Sequence, residues 1–126
     1  MERIPDDLQL SPAETLARGQ DLLNRGFAFN AHEVFESAWK NGPDTERMLW
    51  QGLAQLAVGI THVQRGNHKG AAALLRRASD HLTQIAERPM YDVDIAGLID
   101  AATMLADDLN AGTTITPTRL RPRLTR

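Results

Sequence analysis

The chain has 126 residues, 42% of them hydrophobic and 24% charged, which is typical of one folded domain of ordinary size. Its formal net charge of −2 gives no overall electrostatic basis for binding nucleic acid or a membrane surface. Cysteine is absent, which excludes disulfides, thiolate metal ligands and cysteine nucleophiles. A polar N-terminus and the lack of a run of about 20 apolar residues predict a cytoplasmic protein with no membrane span.

Capping signals predict the first two helices. Ser11 is followed by a proline and, three residues on, by Glu14, and this capping box begins a helix over about residues 12–25. Gly26 supplies a left-handed stop. Asn30 is the expected cap of a second helix over about residues 31–40. The Asn-Gly-Pro-Asp turn at 41–44 ends that helix.

Three more helices are predicted downstream. The third runs from residue 44 or 45 to about 65, and the fourth, capped by Asn67 and stopped by Arg88-Pro89, covers about 68–87. The fifth begins at Asp92 or Asp94 and covers about 94–109. No segment alternates with period two for long enough to predict a sheet. The sequence therefore predicts an all-α, single-domain array or bundle of about five antiparallel helices within residues 1–112.

Residues 113–126 are predicted to form a basic, extended C-terminal tail, mobile or laid along the surface. The tail carries Arg119, Arg121, Arg123 and Arg126. A solvated terminus is the favoured interpretation, and the alternatives are docking on the acidic body, on a partner subunit or on nucleic acid. Nucleic acid is the weakest of these, because no aromatic residues for base stacking are interleaved with the arginines.

The third predicted helix is apolar on nearly all sides and has no charged side chain between Met48 and Val63. This pattern is typical of a central, buried helix. Its polar residues Gln51, Gln55 and His62 fall in one narrow stripe at about 100° per residue. Because a stripe facing solvent is normally made of charged residues, we expect this one to face inward or to line a pocket.

The second predicted helix offers partners for the stripe. His32 and Glu36 are four residues apart and therefore share a face, together with Phe35 and Trp39. The side predicted to point toward water carries Glu33, Ser37 and Lys40. Antiparallel packing of the two helices would place His32 toward His62. The same packing would place Glu36 toward Gln55 and Gln51, which predicts one polar centre between the helices.

The same residues carry a resemblance to a known family. Around the second predicted helix the sequence reads Gly26-Phe27, Phe29 and Ala31-His32-Glu33-x-x-Glu36-x-x-Trp39. This pattern resembles the signature of the domain of unknown function 309 family. The resemblance continues through Gln51-Gly52-Leu53-x-Gln55-Leu56-Ala57-Val58, His62 and Gly66-Asn67. The resemblance covers about residues 13–85. It implies an all-helical array fold and no particular activity. Asn30 stands where the family pattern has an acidic residue, which leaves fewer carboxylates for a metal.

Three interpretations of the polar centre compete. The first is a closed hydrogen-bond network that fixes helix packing, in which His32→Ala would lower stability by about 1–3 kcal/mol. The second is a pocket for a small ligand or peptide, lined by the stripe and by Trp39 and Trp50. The third is a divalent metal site for Zn, Mn, Fe or Ni, with His32, Glu36 and His62 as ligands and a metal-activated water for hydrolysis.

The sequence favours non-catalytic binding or scaffolding as the function. Metal-dependent hydrolysis is the alternative from a different functional class. Neither a catalytic group nor a substrate is assigned from the sequence. A homodimer is a further hypothesis, since helical arrays of this size often pair through a spare apolar face. No membrane partner is expected, and the basic tail is the single feature that suggests nucleic acid.

Overall fold

The computed structural model describes residues 9–88 and 90–126. Its five α-helices are α1 (Pro12–Asn24), α2 (Ala28–Asn41), α3 (Arg47–Gln64), α4 (His68–Thr83) and α5 (Ile95–Asn110). Short 3₁₀ turns occupy Asp44–Glu46 and Pro117–Leu120. In the described part, β structure is limited to a single bridge between Val93 and Thr125. The predicted all-α fold is confirmed, and none of the described helices is long and apolar enough to cross a membrane.

Local signals fix most helix ends. The capping box is present, since the Ser11 hydroxyl accepts from the Glu14 amide and the Glu14 carboxylate accepts from the Ser11 amide, both at 3.1 Å. Asn67 caps α4 and Asp94 caps α5, each through a backbone amide three residues on. Gly26 has φ +84° and ends α1 in a Schellman motif, in which the Phe27 amide donates to the Leu22 carbonyl at 2.8 Å.

The start of α2 lies three residues earlier than predicted. Asn30 is not its cap but a residue of the first turn, and Phe27 precedes the helix without a side-chain cap. The Schellman motif explains the difference, because it turns the chain sharply enough for helical geometry to resume at Ala28. Ala28 is 1% exposed, so burial against the core favours this early start.

The regular part of α4 ends at Thr83, four residues earlier than predicted. The hydrophobic pattern continues to Ile85, which is 1% exposed, but the backbone bonding changes. The amides of Ile85, Ala86 and Arg88 donate to carbonyls three residues back. Pro89, the predicted stop, lies outside the described residues.

Successive helices pack against one another, and α3 lies between α2 and α4. Ten of its eighteen residues are buried, which confirms the prediction of a central helix. Two glycines let α4 approach closely: a Cβ atom at Gly59 would lie 2.9 Å from Leu75 Cδ2, and one at Gly52 would lie 2.9 Å from Leu82 Cδ2. The close α3–α4 contact therefore requires glycine at positions 52 and 59, where a side chain would collide with α4.

The C-terminal tail packs on the body of its own chain rather than extending into solvent. Leu124 is fully buried and belongs to the hydrophobic core. Its amide donates to Gln20 Oε1 at 2.8 Å, and Gln20 Nε2 donates to the Pro122 carbonyl at 3.0 Å. Arg119 pairs with Asp108 of α5 at 2.7 Å. A solvated terminus is thus wrong, and the alternative of docking on the acidic body describes the structure.

Candidate functional site

The polar residues of α2 form a ladder along one helix face. His32 Nε2 lies 2.9 Å from Glu36 Oε2, and Lys40 Nζ donates to Glu36 Oε1 at 2.8 Å. The other ring nitrogen of His32 lies 3.2 Å from the Phe29 carbonyl. The Lys40 hydrogen bond and the His32 contact hold the pKa of Glu36 below its ordinary value, against the opposing effect of burial. Stability from this ladder is therefore present at neutral pH and lost as the pH falls through the lowered pKa.

The exposure of α2 differs from the prediction at Glu33 and Ser37, whereas Lys40 is exposed as predicted. Glu33 and Ser37 are buried, at 7% and 3% exposure, whereas the His32 and Glu36 side chains are 18% and 30% exposed. The reason is that α2 packs against α1 as well as α3 and so has two covered faces. The ladder side meets water.

The polar stripe of α3 faces α4 instead of α2. The Gln55 Oε1 atom accepts a hydrogen bond from His81 Nδ1 of α4 at 2.5 Å. The side-chain amide Nδ2 of Asn67, in the α3–α4 turn, donates to His62 Nδ1 at 3.0 Å. Gln51 is half-buried on the same helix. Each of these bonds fixes α3 relative to α4 or its turn.

The predicted convergence of the two helices' polar residues is therefore not observed. His32 and Glu36 bond within α2, while Gln55 and His62 bond toward α4, because the stripe shares a face with Gly52 and Gly59, where α4 packs. Among residues 9–88 and 90–126, no three His, Asp or Glu side chains are grouped so that they could hold a metal ion. His32, Glu36 and His62 consequently do not form a ligand set.

The two tryptophans differ in environment. Trp39 is half-buried and packs on the edge of the core. Trp50 is 2% exposed, and its indole Nε1 donates to Glu46 Oε1 at 3.0 Å. Trp50 is thus a core anchor that also orients a carboxylate of the preceding turn.

Glu46 joins Trp50 to Tyr91, a residue that the sequence did not single out. The Tyr91 hydroxyl donates to the second Glu46 oxygen. The rings of Trp50 and Tyr91 are stacked, with centroids 6.3 Å apart and planes 20° apart. Glu46 raises the pKa of Tyr91, because the hydrogen bond and the negative charge both favour the protonated phenol. The three side chains form one connected cluster between the start of α3 and the α4–α5 connection.

Tyr91 and Asp92 have left-handed backbone conformations, with φ of 50° and 62°. Such conformations cost free energy in residues other than glycine, above all in a bulky one. The tail supports this turn, since the Arg126 amide donates to the Asp92 carbonyl at 3.0 Å and the Asp94 amide donates to the Leu124 carbonyl at 2.9 Å. The fold therefore maintains a strained turn that presents a 44% exposed tyrosine.

Three surface depressions adjoin this cluster. The one that we call the Tyr91 depression has a volume of about 450 Å³ and is lined by Thr45, Glu46, Arg88, Met90 and Tyr91. A second, between the start of α1 and the end of α2, shares Glu46 with it. A third, between α1 and the tail, shares Tyr91. The hydrogen-bonded Glu46–Tyr91 pair thus lines all three depressions, with Glu46 shared by the first two and Tyr91 by the Tyr91 depression and the third.

Comparisons with known proteins give a family resemblance and no activity. The chain is 35% identical over 68 residues to the uncharacterized protein YpuF of Bacillus subtilis (strain 168), a match of 53% of this chain and 38% of YpuF. The chain thus spans well under half of that relative. No solved structure matches. A family model described as Domain of unknown function (DUF309) matches residues 16–74, which confirms the predicted resemblance to that family.

Proposed function

We propose that this protein is a non-catalytic binding module of the cytoplasm and that its binding site is the Tyr91 depression. One observation carries the proposal: Glu46 and Tyr91 are hydrogen-bonded to each other and each lines two adjoining depressions. Strained residues persist mostly where a ligand or a switch requires them, and Tyr91 with Asp92 fits that pattern. The volume of the Tyr91 depression, about 450 Å³, lies in the range of small-ligand sites, and both polar and apolar residues line it.

The polar residues of α2 and α3 have a packing role in this proposal. His32 and Glu36 are bonded to each other, and Gln55 and His62 are bonded to α4 and its turn. Glu36 is also ion-paired with Lys40, so its charge is already compensated within α2. The pairs support a scaffold that keeps the helices in register while another surface binds.

The test is a ligand screen by NMR on ¹⁵N-labelled protein, with small organic fragments and short peptides. We expect binders to shift the Trp50 indole N–H signal and the amide signals of Glu46 and Tyr91. Tyr91→Ala should abolish these shifts, because it removes the shared wall. Phe27→Ala is the matched control, since Phe27 is also an exposed aromatic residue, at 36%, but lies at the α1–α2 corner.

Three outcomes would contradict the proposal. The first is that no compound shifts these signals, and the second is that binders shift the His32–Glu36 ladder instead. The third is stoichiometric Zn, Mn, Fe or Ni in the purified protein that is lost in both His32→Ala and His62→Ala. That result would favour the metal-dependent alternative.

A further inference from the structure

Two unpaired opposite charges line the Tyr91 depression. Glu46 and Arg88 both contribute to its wall, yet neither forms an ion pair with the other or with another residue of the described chain. Opposite charges that share a concavity without contact create a local field with a positive and a negative side. A ligand that carries both charges on neighbouring atoms complements such a field.

The acidic side of the depression has capacity for an ammonium group. Glu46 accepts one hydrogen bond on each oxygen, from Trp50 and from Tyr91, and both donors are neutral. A carboxylate has about four acceptor sites, so two remain. The exposed ring of Tyr91 lies beside them, and a cation near such a ring gains a further attraction.

The basic side of the depression fits a carboxylate. The Arg88 guanidinium is exposed and can bind a carboxylate through two parallel N–H donors. Met90 follows Arg88 by two residues and lines the same depression, and its flexible thioether can contact an apolar side chain.

We propose that the Tyr91 depression binds a free α-amino acid as its zwitterion, with the ammonium group at Glu46 and the carboxylate at Arg88. This inference rests on the proposed function, since it names the ligand class of the same site. An apolar side chain of the bound amino acid would lie along Met90. Thr45 lines the same depression, and its hydroxyl can supply a further polar contact.

The test compares three small molecules of one shape by NMR titration of the full chain. L-leucine carries both charges, isopentylamine is leucine without the carboxylate, and 4-methylpentanoate is leucine without the ammonium. We expect leucine to shift the Trp50 indole and Tyr91 amide signals, and each singly charged analogue to bind about tenfold more weakly.

Two variants test which residue binds the ammonium group of the ligand and which binds its carboxylate. Glu46→Gln should weaken leucine and isopentylamine and leave 4-methylpentanoate unchanged, whereas Arg88→Gln should weaken leucine and 4-methylpentanoate and leave isopentylamine unchanged. Arg77→Gln, at an exposed position of α4, is the control and should bind leucine like the wild type. Melting curves of all variants establish that each is folded.

Three results would overturn the inference. If isopentylamine binds as tightly as leucine and Arg88→Gln has no effect, the depression binds a simple cation. If leucine shifts none of these signals while other fragments do, the zwitterion is wrong and the proposed binding site stands. If no compound shifts them, both the ligand class and the proposed function fail.

Discussion

Replacing Leu124 with alanine is expected to lower the free energy of unfolding by about 2–5 kcal/mol. Leu124 is the third residue from the C-terminus, yet its side chain is fully buried in the core. Truncation would leave a cavity and weaken the contacts that hold residues 122–126 against α1 and the 92–94 segment. Urea unfolding followed by circular dichroism measures the loss.

Leu120→Ala is the matched control for this substitution. Leu120 lies in the same tail but is half-buried in the 3₁₀ turn, so its truncation should cost clearly less. Equal and small losses for both variants would mean that the tail is a solvated terminus, as its composition suggested. A large loss for Leu124→Ala alone would establish that the tail belongs to the fold.

Trp50→Ala should lower the free energy of unfolding by about 3–5 kcal/mol. The side chain is among the largest that are almost fully buried, and its removal also takes away the indole donor to Glu46. Trp50→Phe should cost less, because most of the ring volume remains while the hydrogen bond is lost. Urea unfolding of the two variants separates the packing contribution from that of the hydrogen bond.

Trp39→Ala provides the comparison on α2. Both tryptophans were candidates for core anchors or pocket walls in the sequence, but Trp39 is only partly buried. Its truncation should therefore destabilise the protein less than that of Trp50. A larger effect at Trp39 would contradict the placement of the core around α3.

Helices were predictable where their signals are local. The capping box at Ser11 and the cap at Asn67 act over three residues and occur as predicted, and of the two predicted starts of α5, Asp92 and Asp94, Asp94 is the cap. The tail was not predictable in this way, because Leu124 is held by Gln20 at a separation of 104 residues. Two leucines in an arginine-rich segment, Leu120 and Leu124, are too few to give a periodicity from which the burial of Leu124 could be inferred.

The candidate site shows the same division between local and distant contacts. The His32–Glu36 bond follows from a four-residue spacing, but which helix each face meets is decided by packing. Because this pair is partly exposed, we expect it to contribute less than about 1 kcal/mol to the free energy of unfolding, which is less than a buried network would contribute. Glu46 lies four residues before Trp50, a spacing that could have suggested their bond. The contact between Glu46 and Tyr91 joins residues 45 positions apart in the sequence, and no local pattern predicts it.

The proposed site depends most directly on the contact between Glu46 and Tyr91, and the pKa of Tyr91 measures that contact. Tyr91 is the single tyrosine of the chain, so the ultraviolet absorbance of tyrosinate reports this residue alone. Because Glu46 raises the pKa, the phenol should ionise above its ordinary value of 10.0 in the folded protein. By linkage, its contribution to stability is complete below the unfolded pKa and is lost as the pH rises through the raised value.

The measurement is a spectrophotometric pH titration of the wild type and of Glu46→Gln, with circular dichroism to follow folding over the same range. We expect the wild-type pKa to exceed the ordinary value and the Glu46→Gln pKa to fall back toward it, since the variant removes the negative charge. Identical pKa values at the ordinary position in both proteins, while both remain folded, would contradict the Glu46–Tyr91 contact and with it the proposed binding site.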